Sequence, residues 1–133
     1  MKKLLIVAVL MLAAVPLVFA GGSQEEAPQE FDEPDRVIHL TADGMEFFLE
    51  GEIEPNPVLT VQVGETVEIR LTVTRGTHDW VVDEFGASTA IIGSGRTSVT
   101  VFTADQIGEF IYYCSFANHR SLGMYGTLVV QQP

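Results

Sequence analysis

At 133 residues the chain is long enough for one compact domain and too short for two of ordinary size. Eighteen acidic residues stand against seven lysines and arginines, for a formal net charge of −11 at pH 7, a balance that repels nucleic acid and anionic lipid surfaces. A single cysteine, Cys114, excludes an internal disulfide framework.

In chain order, Met1-Lys2-Lys3 is followed by an apolar run from Leu4 to Phe19 and then by Ala20-Gly21-Gly22. A cationic head, an apolar body and small residues at the end make a secretory signal, so residues 1–20 are expected to be cut after Ala20. The alternative is an uncleaved membrane anchor, which a run interrupted by Pro16 and short of the roughly 20 apolar residues of a span does not favour. Lys2 and Lys3 are the only lysines, so the mature chain would keep five cations, all arginine, against 18 acids, a formal charge of −13. That charge either only keeps an exported protein soluble or also steers basic partners towards it. Residues 21–35 hold many acids, two prolines and one large apolar residue, and are expected to form a flexible acidic linker.

From residue 36 to 133 the pattern is one of short strands. Candidates are Arg36 to Thr41, Met45 to Leu49 and, after Pro55-Asn56-Pro57, Val58 to Val63. Beyond the Gly64-Glu65 turn, Val67, Ile69, Leu71 and Val73 alternate with polar residues, the period of a strand with one dry face. Val99 and Val101 alternate with Ser98 and Thr100 in the same way, giving the valines the dry face. Asp83 to Arg96 carries no strand pattern and reads as a long loop; Thr103 to Gln106 is a candidate for one capped helical turn. Phe110, Tyr112 and Cys114 alternate with Ile111 and Tyr113, and Thr127 to Val130 closes the chain. Seven or eight short strands in roughly 100 residues predict an all-β, antiparallel β-sandwich. Met45, Trp80, Phe110 and Tyr112 are expected to fill it, and His39, inside an early strand and in no motif, to be structural.

The informative segment is GEFIYYCSFANHRSLGMYGTLVV, residues 108–130. Cys114, His119 and Met124 follow one another with four residues in each gap, and His78 stands upstream at the end of the best strand. A thiolate, two imidazoles and a thioether form the donor set of electron-transfer copper, with methionine as a weak axial ligand. Zinc is the competitor, but its structural sites take four strong ligands, and a thioether is a poor one. Cys114 ends one strand and Met124 precedes the next, so three candidate ligands share one loop, while His78 must reach the same pole from another strand.

With its order of His78, Cys114, His119 and Met124, and with Gly108, Phe110, Tyr112, Gly123, Gly126, Leu128 and Val130 around them, this segment resembles the cupredoxins, the plastocyanin/azurin family of small blue-copper proteins. The resemblance implies a Greek-key sandwich, one type 1 copper ion and one-electron transfer without catalysis. Its implied partners are redox proteins such as a cytochrome or a copper-containing reductase or oxidase, met by a monomer in the periplasm or outside the cell. It implies that electrons leave through His119, at an exposed apolar patch here formed by Phe116, Ala117, Leu122 and Tyr125. Where many members carry Asn or Ser after the first histidine, this chain has Asp79; turned inward, a carboxylate favours the oxidised ion and lowers the reduction potential. A copper chaperone or storage protein is the alternative, which two mature methionines, Met45 and Met124, do not favour. An enzyme would need a further metal site, and a binuclear centre a second cysteine.

Overall fold

The computed structural model describes residues 33–133, so the expected signal at 1–20 and most of the expected linker at 21–35 lie outside the described residues. Of that linker, residues 33–35 are described; the Asp35 carboxylate accepts the backbone N–H of Thr66 at 2.7 Å.

Two sheets face each other. The first has the order β2 (Glu46–Leu49), β1 (Arg36–Asp43), β4 (Thr66–Arg75) and β9 (Arg96–Thr103). The second has the order β3 (Leu59–Gln62), β11 (Tyr125–Gln131), β10 (Gly108–Tyr113), β6 (Val81–Val82) and β7 (Ala87–Ser88), and a small ladder joins β5 (Thr77–His78) to β8 (Ile92–Gly93). The sandwich agrees with the sequence reading, but its sheets are mixed: β1 pairs with β4, and β3 with β11, in parallel. The β1–β2 hairpin hands the chain through Pro55-Asn56-Pro57 to the second sheet, and β4 then returns beside β1 in the same direction. Parallel neighbours need such a crossover.

The alternation in β4 puts Val67, Ile69, Leu71 and Val73 wholly inside. In β9 the period of two holds and its phase is the reverse of the expected one. Register pairs Phe102 with Val67, Thr100 with Ile69 and Ser98 with Leu71, and directly opposite residues share a face. Phe102 therefore enters the core, while Val99 and Val101 face outward. The expected loop from Asp83 to Arg96 contains a 3-10 turn at Asp83–Phe85 and the strands β7 and β8; two-residue strands are too short to display a period. Thr103 to Gln106 forms no helical turn. Instead Gly64 donates to the Ala104 carbonyl and Ala104 to that of Glu65, at 2.8 and 2.9 Å, and this prolongs the β4–β9 pairing. Met45 sits half-buried in the β1–β2 turn, and Phe47 occupies the core instead. His39 is exposed on the outer face of β1, in register with Arg70.

An aromatic column fills the centre. Tyr112 meets Phe47 edge-on at 5.6 Å and Trp80 stacked at 5.8 Å, and Trp80 continues to Phe102 at 6.0 Å. Phe110 is half-buried against Phe85 at 4.9 Å. The Tyr112 hydroxyl donates to the Pro57 carbonyl at 2.6 Å, and Gly126 lies opposite Tyr112, where any β-carbon would overlap that hydroxyl. The column thus runs between the sheets from Phe102, opposite the start of β4, to Phe47 and Tyr112 at the end where β4 and β10 finish and β11 begins. That end carries the site.

Candidate metal centre

Strand β4 ends at Arg75, and Gly76 turns the chain into β5. Gly76 has φ 105°, and a β-carbon on it would overlap Nε2 of His78, so only glycine lets the backbone pass behind this ring. Nε2 lies 3.0 Å from the Arg75 carbonyl. A carbonyl only accepts, so Nε2 carries the proton and Nδ1 is left with its lone pair. Nδ1 faces the Cys114 sulfur at 3.7 Å. Burial of His78 lowers its pKa, which holds the imidazole neutral, the form that binds metals.

Cys114 follows β10 and is fully buried. Its sulfur lies 3.5 Å from Nδ1 of His119, and the three donor atoms of His78, Cys114 and His119 all fall within 4.8 Å of one another. Burial pushes the thiol pKa up, and hydrogen bonds from the backbone N–H groups of Asp79 and Phe116 to the sulfur partly offset this. Those two bonds favour the thiolate, and a bound cation would complete its stabilisation.

Met124, also fully buried, is tied to both loop neighbours: its N–H donates to the His119 carbonyl at 3.0 Å and its carbonyl accepts from Cys114 N–H at 3.1 Å. The sequence-predicted quartet therefore gathers at one pole. Asp79 points inward, nearly buried, with Oδ1 accepting the Ser115 N–H at 2.7 Å and Oδ2 accepting the Ser115 hydroxyl. It fastens the His78 segment to the loop behind Cys114.

His119 is half-buried, with the Phe116 ring edge-on at 5.3 Å. Phe116, Ala117, Leu122 and Tyr125 are all exposed around this pole, Leu122 at 63%. Beside them a depression of about 600 Å³ is lined by Ile111, Ala117, Asn118, Arg120, Ser121 and Tyr125. The sequence reading missed Gly76, Ser115 and the Arg75 carbonyl. It also missed Asn56, whose side-chain amide accepts from Phe47 N–H at 3.1 Å and donates to the Gly123 carbonyl at 3.4 Å. A glycine two residues before the candidate histidine was a usable signal for the first; the Arg75 carbonyl is backbone that any residue would supply, and Ser115 and Asn56 bond across 36 and 67 residues, which leaves no local signal.

One sulfur and two imidazole nitrogens in one cluster, two of its three residues buried and His119 half-buried, fit a borderline-to-soft metal, and a methionine in the same loop suits copper better than zinc. The family described as copper binding proteins, plastocyanin/azurin family, matches residues 54–131, more than half of the chain. L-ascorbate oxidase of Nicotiana tabacum is 28% identical over 111 residues, which are 71% of this chain and 19% of that enzyme. The chain thus spans about a fifth of the length of the curated relatives it matches. Among solved structures, auracyanin B superposes with a TM-score of 0.62 at 19% identity, covering 74% of this chain and 91% of that one. Auracyanin A, a "blue" copper protein from Chloroflexus aurantiacus, gives 0.57 at 21% identity over 71% and 97%.

Proposed function

Because the chain belongs to the plastocyanin/azurin family of copper-binding proteins, we propose that it is an exported electron carrier that holds one type 1 copper ion with His78, Cys114, His119 and Met124. The observation that carries this reading is the convergence of His78, Cys114 and His119 on one buried spot, with Met124 bonded to both loop members.

Bound there, copper supplies a one-electron couple. The rest is the work of the polypeptide. Arg75 fixes the tautomer of His78, and Gly76 gives its ring room. Asp79 and Phe116 direct N–H groups at the sulfur and balance its charge. Asp79 and Ser115 lock the two segments that supply His78 and Cys114. A frame tied from several sides changes little between oxidation states, so little reorganisation opposes electron transfer. Burial of His78, Cys114 and Met124 leaves only the His119 side of the quartet near solvent, which favours carrier over enzyme. His119 alone reaches towards the surface, amid Phe116, Leu122 and Tyr125, and is the exit for electrons. Small, short-lived encounters on such a patch suit a shuttle. The partners are a cytochrome or a copper-containing reductase or oxidase, and the excess of acidic residues favours basic ones.

The test is the optical spectrum of the purified protein with copper(II). An intense thiolate band that bleaches on reduction and returns on oxidation is expected, and its loss in Cys114→Ser assigns the sulfur. Tight, exchangeable copper(I) with no such band would instead identify a chaperone or storage protein. Cell fractionation with N-terminal sequencing checks export and the cut after Ala20.

A further inference from the structure

The two imidazoles of the cluster are anchored differently. His78 is held from behind by the Arg75 carbonyl. His119 has no such bond among the described residues; its Nδ1 faces the Cys114 sulfur and its ring meets Phe116. Its place is therefore set by its own backbone, which leads into a 3-10 turn at Arg120–Leu122. The His119 carbonyl accepts from Leu122 and Met124, at 3.1 and 3.0 Å, and the Arg120 carbonyl from Gly123 at 3.1 Å.

Arg120, the first residue of that turn, folds back over the sheet. Its guanidinium carbon lies 3.9 Å from the centre of the Tyr113 ring, and its Nη1 is 4.0 Å from Oδ2 of Asp83. The Tyr113 hydroxyl donates to Oδ1 of the same carboxylate at 2.8 Å. Three side chains from three elements close a ring: β10, the 3-10 turn at Asp83–Phe85, and the turn after His119. Tyr113 precedes Cys114 and Arg120 follows His119, so the ring bridges the loop just outside two of its candidate ligands.

We infer that Arg120 is the positioning residue for His119, pinning the turn that carries it to Tyr113 and Asp83. The Arg120 and Asp83 side chains are more than half exposed, so each contact alone is weak. Acting together on one turn, a cation–π contact and an ion pair shift a local opening equilibrium by roughly tenfold. The His119 side of the site, with no backbone carbonyl to hold its ring, is where such a device has an effect. This inference rests on the copper reading for its spectroscopic consequence, whereas the pinning belongs to the polypeptide itself.

The experiment compares the full chain with Arg120→Gln, Arg120→Lys and Tyr113→Leu. In the metal-free protein, amide hydrogen exchange at Leu122, Gly123 and Met124 is expected to quicken by roughly tenfold in Arg120→Gln and Tyr113→Leu, with exchange in β4 unchanged. Arg120→Lys, which keeps a cation over the ring, restores much of the protection. With copper(II), Arg120→Gln is expected to alter the relative intensities of the thiolate bands, and Arg120→Lys to restore them. Equal exchange in wild type and Arg120→Gln at those three amides, or equal acceleration in β4, overturns the inference. If the wild type shows no thiolate band at all, the copper reading fails, and the exchange comparison still decides the role of Arg120.

Discussion

Asp79→Asn is the substitution that bears most directly on how the site is tuned. The Asp79 carboxylate is nearly buried and bonded to Ser115, the residue after Cys114. One hydrogen bond and one residue step put the charge at most on the order of 7 Å from the sulfur. After burial, that charge also acts directly on the Cys114 sulfur by raising the thiol pKa, so this upper bound on the separation gives a lower limit to the effect. At an effective dielectric constant of about 20, a unit charge at that distance is worth about 2.4 kcal/mol. For a one-electron couple, where a tenfold change is about 59 mV, this corresponds to about 100 mV. A negative charge stabilises the more positive, oxidised state, so removing it raises the reduction potential. Asparagine has the same shape: its oxygen still accepts from Ser115 N–H, and its amide donates to a hydroxyl that rotates. The fold and the thiolate band are therefore expected to persist while the potential, measured by redox titration or protein-film voltammetry, rises by about 100 mV or more. Ser115→Ala removes one bond but no charge and should move the potential much less. An intact band with a potential within about 10 mV of wild type would refute the electrostatic argument.

Three further outcomes follow from the geometry. Gly76→Ala combines a φ of 105° with a clash against the His78 ring; urea unfolding should show a loss of about 2 kcal/mol or more, with copper affinity falling alongside. Tyr112→Phe strips the donor from the Pro57 carbonyl and should cost about 1–2 kcal/mol in the same assay, leaving the optical spectrum unchanged. The metal-free protein should lose stability as pH falls below the ordinary histidine value near 6.5, because His78, its pKa lowered by burial, stays neutral in the fold while the unfolded chain takes up the proton. Denaturant midpoints at pH 7.5 and pH 5 test this, and His78→Gln should flatten the difference.

Much of the site was legible because its donors are chemically rare and close together in sequence. Cys114, His119 and Met124 occupy one loop between two strands, so their spacing alone places them together, and His78 ends the strand whose alternation is plainest. Chain-local signals of the same kind outlined β1, β4, β10 and β11. Other features depend on which residue lies opposite which. The valines of β9 face outward because register sets Phe102 against Val67, and β7 and β8 exist only as partners of β6 and β5. The inward turn of Asp79 depends on Ser115, 36 residues away, and the stacking of Arg120 on Tyr113 depends on the folded loop. Period, composition and spacing are properties of neighbours along the chain, so the sequence by itself determined the longer strands and the candidate donor set. Facing, register and the bonds that hold each donor in place arise between residues far apart in sequence, and packing of the two sheets decided them.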